Sequence, residues 1–295
     1  MNVKIAGAPI SWGVCEVENW GYQMSPERVF GEMASLGLTG TEFGPLGFLP
    51  VEPAARAAVL ANLGMTATGG FFPVVLHDPH FDPMPSVEAE LDAYSAAGAN
   101  VLVIAAEQPG GNYNEKRPEI SDDAWNVMFT NLTRINDYAK SRGVTATVHP
   151  HVGTMIETDG DVERLLAGTD IGICFDTGHM FIGGTDPVAF SKKYAHRVKH
   201  SHLKDVKLDL ARKVQAGELT YYQACVQGMY TALGDGDVDI TAIVTNLLDA
   251  GYDGWFCLEQ DNVIQANPRD GEGPFIDAKR SVDFINAVVA EYKAK

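Results

Sequence analysis

The stretch "VTATVHPH", residues 144–151, joins a short apolar run to two histidines held apart by one proline. Runs of this length that are rich in β-branched residues are typical of buried strands. His149 and His151 would then stand at the carboxyl end of such a strand. A single histidine at this place is ordinary as a hydrogen-bonded core residue. The importance of the pair therefore depends on whether other strands end in similar side chains.

Short apolar runs of the same kind alternate with amphipathic helical patterns along the chain. The predicted strands cover residues 3–10, 39–45, 66–75, 100–107, 144–151, 171–179, 196–203 and 255–261. Several are nearly continuous in apolar residues, as expected of parallel strands that are covered on both faces. Eight such units without a linker predict one domain, residues 1–295, with the α/β fold of a (β/α)₈ TIM barrel. The alternative is an open doubly wound sheet, although the turn after the first strand lacks the dinucleotide-binding pattern G-x-G-x-x-G.

Composition argues against several classes of function. The 295 residues include 39 acidic and 22 basic side chains, a formal net charge of −17, which disfavours binding to phosphate backbones. The N-terminus has neither the basic start nor the apolar run of a signal peptide, and no segment is long and apolar enough to span a membrane. The four cysteines show no paired spacing, so we expect reduced thiols in a cytoplasmic protein.

Four successive predicted strands end in residues that can bind a metal ion or carry a proton. These are His149 and His151, then Asp176 and His179, then His200, His202, Lys204 and Asp205, and finally Glu259 and Asp261. The carboxyl ends of barrel strands converge on one rim, so side chains from different strands can share one centre. The predicted ligands are His149, Asp176, His202 and Glu259. This mixed nitrogen and oxygen set suits Mn²⁺, Co²⁺, Fe²⁺ or Zn²⁺, and the absence of cysteine argues against a closed structural zinc site.

Each of these residues also has an ordinary structural interpretation. A buried histidine can be a core residue, and an aspartate at a strand end can cap the next helix. Glu42 and Glu107 end strands and are candidates for substrate contacts or for helix caps. Trp12 is either a core aromatic or a wall against the face of a substrate ring. The histidines of "HDPHFDP", residues 77–83, are better explained by a surface turn than by a metal site.

Two long connections interrupt the regular alternation. One follows Glu107 and runs to residue 120, and the other covers residues 205–237. Both come after strand carboxyl ends, where barrel active sites are built. They are therefore candidate lids.

Motifs in these strand ends resemble the xylose-isomerase-like barrel superfamily, and within it the inosose dehydratases. The segments that carry the resemblance are "APISWG" (8–13), "HPHVGTMIET" (149–158), residues 174–206 and residues 234–261. The resemblance covers most of the chain and is strongest from residue 144 to 262. It implies one divalent metal ion, Mn²⁺ or Co²⁺ first and Zn²⁺, Fe²⁺ or Mg²⁺ as alternatives. Glu157 is a candidate either to orient a ligand imidazole or to lie on the surface.

The chain departs from the epimerase members of that superfamily at one ligand. Asp176, His202 and Glu259 match three of the family's ligands, whereas His149 stands where the epimerases have a glutamate. Those enzymes use a symmetric pair of glutamate bases, so His149 makes a symmetric epimerisation less natural, whereas a one-sided elimination remains workable. The three-metal cluster of endonuclease IV is not matched.

The resemblance implies a dehydratase that removes water, through an enediolate, from a polyhydroxylated cyclic ketone such as 2-keto-myo-inositol. The candidate bases are Glu259, His149 and His151, the candidate acids are His179 and Lys204, and the expected substrate contacts are Trp12, Glu42, Glu107, His151, His179 and Lys204. The alternatives are a metal-dependent sugar isomerase or epimerase, a 3-keto-glycoside lyase and a non-catalytic sugar-binding barrel. A thiol such as glutathione as cosubstrate and a homo-oligomeric state are further expectations from the resemblance.

Overall fold

The strands of the computed structural model, which describes residues 3–110 and 113–294, confirm the predicted barrel. They are β1 (Lys4–Gly7), β2 (Gly40–Glu42), β3 (Thr66–Val74), β4 (Val101–Ala106), β5 (Thr145–Val148), β6 (Gly172–Asp176), β7 (Val198–Leu203), β8 (Asp205–Val206), β9 (Tyr230–Thr231) and β10 (Trp255–Leu258). Within the described ranges, the parallel strands close in the order β1-β10-β7-β6-β5-β4-β3-β2. The separate pair β8–β9 is antiparallel.

Helices surround this barrel. They are α1 (Pro26–Ser35), α2 (Pro53–Asn62), α3 (Met84–Ala97), α4 (Asp122–Ser141), α5 (Asp159–Gly168), α6 (Thr177–Ile182), α7 (Pro187–Tyr194), α8 (Leu208–Gln215), α9 (Tyr221–Val226), α10 (Ile240–Asp249) and α11 (Pro274–Lys293). The core between strands and helices contains fully buried side chains such as Leu102, Ile104 and Met128. None of the helices in the described part of the chain has the length and apolar character needed to cross a bilayer. Each cysteine is unpaired.

Several barrel strands end earlier than the sequence predicts. The predicted strand at 171–179 stops at Asp176, because a carboxylate oxygen of Asp176 accepts hydrogen bonds from the backbone N–H groups of Gly178 and His179 and starts α6. The predicted strand at 255–261 stops at Leu258. The chemically important residues therefore lie just beyond the strands, on the rim.

The long connection at 205–237 is a folded wall rather than a loose lid. The carboxylate of Asp205 accepts hydrogen bonds from the backbone N–H groups of Gly234, Gly236 and Val238, and so ties the two ends of the connection together. Between those ends, α8, α9 and the β8–β9 pair bury a cluster that includes Tyr221. In the other candidate lid, 107–120, Gly111 and Asn112 lie outside the described residues.

Candidate metal and substrate site

The predicted ligands meet at the carboxyl rim of the barrel, and all of them are buried. Donor atoms of Asp176, His202 and Glu259 lie within 4.8 Å of one another. His149 joins them through its Nε2, which is 3.3 Å from Oδ2 of Asp176. A further group of donors within 4.8 Å contains Asp176, His149 and His179. The four predicted strand ends therefore supply neighbouring donors, although His149 is grouped with Asp176 and not with Glu259.

Asp176 divides its two carboxylate oxygens between structure and site. Oδ1 caps α6, at 2.9 Å from the backbone nitrogen of Gly178 and 2.8 Å from that of His179. Oδ2 faces the site, 3.4 Å from Nζ of Lys204. Burial would raise the pKa of Asp176, but the ammonium of Lys204 holds it well below its ordinary value. The alternatives of helix cap and ligand are thus both compatible with the position of this side chain.

Glu42 is hydrogen-bonded to His202 on the side of the ring that faces away from Glu259. Oε1 of Glu42 lies 2.8 Å from Nε2 of His202 and 2.8 Å from Nε2 of His200. Burial alone would raise the pKa of Glu42, but the two histidines lower it, so the carboxylate is ionised and accepts from both rings. The proton of His202 that Glu42 accepts therefore sits on Nε2. Nδ1 then points toward the site, 3.2 Å from Oε2 of Glu259.

Lys204 supplies positive charge at the centre of the site. Its Nζ lies 3.2 Å from Oε2 of Glu259, 2.6 Å from Oδ1 of Asp261 and 3.0 Å from Nε2 of His179. Burial would lower the pKa of Lys204, but the carboxylates of Asp176, Asp261 and Glu259 raise it well above its ordinary value. The ammonium is therefore retained in the interior.

His151 faces the cavity in a defined tautomer. Its Nδ1 lies 2.7 Å from the carbonyl oxygen of Val152 and donates to it, which leaves the lone pair on Nε2. The ring packs at a tilt of 33° against that of His179, with centroids 3.7 Å apart, and the ring centroid of Tyr113 lies 4.6 Å away. Burial and the neighbouring charge of His149 hold the pKa of His151 well below its ordinary value, so the ring is neutral.

The donor set fits a divalent cation. Among the described residues, Nδ1 of His202 points toward Glu259 and is buried without a hydrogen-bond partner, although such atoms are normally satisfied. The buried carboxylates of Glu42, Asp176 and Glu259 also exceed the single charge of Lys204, and buried charge requires compensation. Burial would lower the pKa of His202, but Cys174, Glu259 and Glu42 raise it well above its ordinary value, so a cation at Nδ1 competes with a proton.

A large cavity opens onto this centre. It has a volume of about 760 Å³ and extends from the rim to α3. At the inner end it is lined by Glu42, His149, His151, His202, Lys204, Glu259 and Asp261, together with Tyr113, Tyr221 and Phe71. The residues predicted for metal binding and for proton transfer are thus accessible from one solvent-connected space, except for His179 and Asp176, which lie behind it.

Other predicted contacts lie elsewhere. Trp12 is a core aromatic whose Nε1 donates to Oε2 of Glu32 at 2.7 Å. It does not line the cavity, so the prediction that it contacts the substrate is wrong. Glu107 is exposed and does not line the cavity, and Glu42 is bonded to two histidines instead of capping a helix. Glu157 accepts from the backbone of Gly153, 3.2 Å away, and has no histidine partner among the bonds of the described residues.

The histidines of the "HDPHFDP" segment also lie away from the site. Oδ1 of Asp78 accepts from the backbone N–H of His80 at 2.8 Å, as in an Asx turn. Neither His77 nor His80 belongs to a potential metal-binding group in the part of the chain that the structure describes. The surface-turn interpretation agrees with this geometry.

Several residues at the site were not predicted. Tyr113 and Tyr221 line the cavity, and the hydroxyl of Tyr221 donates to Asp261 while lying 3.0 Å from that of Tyr230. Asp261 was visible at the end of "CLEQD", and its pairing with Lys204 could have been suspected from the strand-end rule. The tyrosines come from long connections, where no periodic pattern indicates which side chains turn inward.

Comparison with known protein families assigns the chain to one of them. The family model described as "Xylose isomerase-like TIM barrel" matches residues 30–285, and the chain belongs to this family. That result confirms the resemblance found in the sequence.

Individual similar proteins indicate which kind of enzyme within this family the chain resembles. The chain is 33% identical over 277 residues to the rhizopine catabolism protein MocC of Rhizobium meliloti, covering 91% of this chain and 85% of that protein. It is 31% identical over 278 residues to the inosose dehydratase of Geobacillus thermodenitrificans, covering 90% and 92%. The fold of IolI protein, crystallised with a bound zinc atom, superposes with a TM-score of 0.72 at 13% identity, covering 98% and 99%. The two sequence relatives support an enzyme of a sugar-ketone dehydratase and isomerase family, and the structural likeness shows the shared fold.

Proposed function

We propose that this chain is a metal-dependent dehydratase that eliminates water from a polyhydroxylated cyclic ketone, with 2-keto-myo-inositol as the expected substrate. The observation that carries the proposal is the meeting of Asp176, His202 and Glu259 donors within 4.8 Å beside Lys204 at the inner end of the cavity. The similarity to inosose dehydratases supports the same reaction.

The residues that would hold the ion are His149, Asp176, His202 and Glu259. A divalent cation bound there supplies Lewis acidity, which polarises the substrate carbonyl and makes the neighbouring C–H acidic. Glu42 fixes the proton of His202 on Nε2, which leaves Nδ1 as the ligand atom. Such a nitrogen and oxygen set accepts Mn²⁺, Co²⁺ or Zn²⁺, and we propose Mn²⁺ or Co²⁺ as the working ion.

His151 and Lys204 are the proposed acid–base pair. The Nε2 lone pair of His151 faces the cavity because Nδ1 is held by the carbonyl of Val152, so Nε2 can take the proton next to the ketone. The ammonium of Lys204 can donate a proton to the departing hydroxyl, which leaves as water. Two chemically different groups, one neutral and one charged, suit a one-sided elimination better than a symmetric epimerisation.

His179 is proposed to act through Lys204 and His151. It is buried behind the cavity, with Nε2 3.0 Å from Nζ of Lys204 and its ring packed against that of His151. A role as the direct acid is therefore replaced by a positioning role. Its ring keeps the other two groups apart and oriented.

Turnover of 2-keto-myo-inositol tests the proposal. Metal-stripped protein is assayed with and without Mn²⁺ or Co²⁺, and the product is followed by mass spectrometry and NMR. Loss of one water that depends on the added ion is expected. An unchanged mass with a changed stereocentre or carbonyl position would identify an isomerase or epimerase. Tight metal binding without any reaction would refute this substrate.

A further inference from the structure

The cavity is larger than the proposed substrate ring requires. Pockets of about 300–1,000 Å³ hold drug-sized ligands, and a single six-membered polyol ring is far smaller than such a ligand. The cavity of this chain has a volume of about 760 Å³ and continues from the carboxylates out to α3. A ring bound at the inner end would therefore leave much of the space unfilled.

The remaining space has a different chemical character. We call it the outer arm and define it by Phe43, Leu49, Val51, Phe72, Ala89 and Ala93. These side chains come from the β2–α2 connection, the end of β3 and α3, and all of them are apolar. A hydroxyl buried against such walls would lack partners, whereas an apolar group would gain by leaving water. The outer arm thus suits a group unlike the ring.

Polar residues also line this part of the cavity, namely Arg56, Glu90, Asp92 and Ser86, and the three charged ones already have partners. The guanidinium of Arg56 lies 4.9 Å from the ring centroid of Phe43, its Nε donates to the carbonyl of Pro50 at 3.1 Å, and its Nη1 is 3.6 Å from Oε1 of Glu90. The hydroxyl of Tyr94 donates to the carbonyl of Gly70 at 3.0 Å. These contacts fix the floor of the outer arm before any ligand binds.

We propose that the natural substrate is a keto-polyol ring carrying an oxygen-linked apolar substituent, aryl or bulky alkyl, that occupies the outer arm. This inference rests on the proposed function for the position of the ring. It adds a substrate class that the ring chemistry alone does not specify. The inner end would recognise the ring hydroxyls, and the outer arm would recognise the substituent by burial of apolar surface.

Binding of two matched glucosides tests the inference without turnover. Methyl β-D-glucopyranoside and phenyl β-D-glucopyranoside share one ring, and neither has the ketone that the proposed elimination requires. Their dissociation constants are measured by calorimetry on protein loaded with Mn²⁺. Burial of the phenyl group predicts binding about tenfold tighter or more than that of the methyl compound.

Filling or charging the outer arm should remove this preference. Ala89→Phe places a ring in the outer arm from an exposed position on α3, and Val51→Asp introduces a charge there. In both variants the ratio of the two affinities should fall toward one. Ala96→Phe is the matched control, because Ala96 is also an exposed alanine of α3 and does not belong to the cavity lining described here.

Equal affinities in the wild type, or no binding of either glucoside, would overturn the inference. A phenyl preference that survives in both outer-arm variants would also overturn it, since the substituent would then lie elsewhere. The proposed function is judged separately by turnover of 2-keto-myo-inositol. Its failure, together with a phenyl preference that depends on the outer arm, would leave the binding inference standing.

Discussion

At the scale of single residues, the contact between Glu42 and His202 decides which nitrogen of the imidazole is available. Glu42→Gln keeps an acceptor oxygen but removes the negative charge that holds the proton on Nε2. Loss of such outer partners typically weakens metal binding about 10–100-fold. We expect the dissociation constant for Mn²⁺, measured by calorimetry, to rise by about tenfold or more.

Glu88→Gln is the control for this prediction. Glu88 is an exposed glutamate of α3, so its neutralisation removes the same formal charge away from the site. Equal effects of the two substitutions would show that Glu42 acts only through net charge. An unchanged affinity in Glu42→Gln would refute the orienting role.

His151 is the residue whose loss should separate chemistry from metal binding. His151→Phe keeps an aromatic ring against His179 but removes the Nε2 lone pair. General base catalysis contributes about 10²–10⁴-fold, so kcat on 2-keto-myo-inositol should fall by that factor. The affinity for Mn²⁺ should change less than about threefold. His80→Phe, at an exposed turn, should leave kcat unchanged. Retention of kcat in His151→Phe would eliminate His151 as the base.

The ligand candidates could be predicted from the sequence because they all follow strand carboxyl ends, which must meet on one rim. The partner of His202 could not be predicted in the same way. Glu42 is 160 positions away, and the contact exists only because the barrel closes. Trp12 was predicted incorrectly for a different reason. It follows a strand, as the site residues do, but its indole turns into the core toward Glu32 instead of into the cavity.

At the scale of secondary structure elements, α6 is packed against the connection that follows β5. A Cβ added at Gly183 would lie 2.0 Å from the carbonyl oxygen of Glu157, and the glycine has an ordinary helical φ of −69°. The clash is therefore purely steric. Gly183→Ala should destabilise the protein by about 1–3 kcal/mol, as overpacking does, measured by urea unfolding.

Gly31→Ala is the matched control for this clash. A Cβ at Gly31, inside α1, would meet nothing within 4 Å. Because alanine is the better helix former, this variant should be stabilised by about 0.5–1 kcal/mol. Wild-type stability in Gly183→Ala would show that α6 can shift away from Glu157 at no cost.

The order of strands and helices was predictable because buried parallel strands appear as continuous apolar runs. The exact ends of the strands were less predictable than their order. The predicted strand at 171–179 runs past Asp176 into α6, and only the hydrogen bonds from Gly178 and His179 to Asp176 show where the strand stops. Likewise, the connection at 205–237 has the length of a lid but is held by Asp205, a contact that spans about thirty positions.

At the scale of the whole molecule, the metal ion should stabilise the fold. An ion that binds only the folded state at 100 times its dissociation constant adds about 2.7 kcal/mol. Adding Mn²⁺ to metal-stripped protein should therefore raise Tm by several degrees in calorimetric scans. Asp176→Asn should abolish this increment, because Oδ2 faces the site.

Asp186→Asn serves as the comparison for that result. Asp186 caps α7 as Asp176 caps α6, but it is exposed and outside the site. The Asp186→Asn variant should show the same rise of Tm with Mn²⁺ as the wild type. An equal rise of Tm in Asp176→Asn and in the wild type would mean that the ion binds elsewhere.

The folded wall at 205–237 also affects where a ligand can enter the cavity and where a product can leave it. Tyr221 and Tyr230 are buried on that side of the mouth, whereas Leu46 and Val51 are exposed on the side of the outer arm. The β2–α2 connection therefore offers a ligand a route of entry and its product a route of departure. An occupant of the outer arm would consequently obstruct departure, so a bulky substituent would lengthen residence time as well as strengthen binding. With a substituted substrate, product release and not bond cleavage would then limit kcat, whereas the unsubstituted ring of 2-keto-myo-inositol would not be retained in this way.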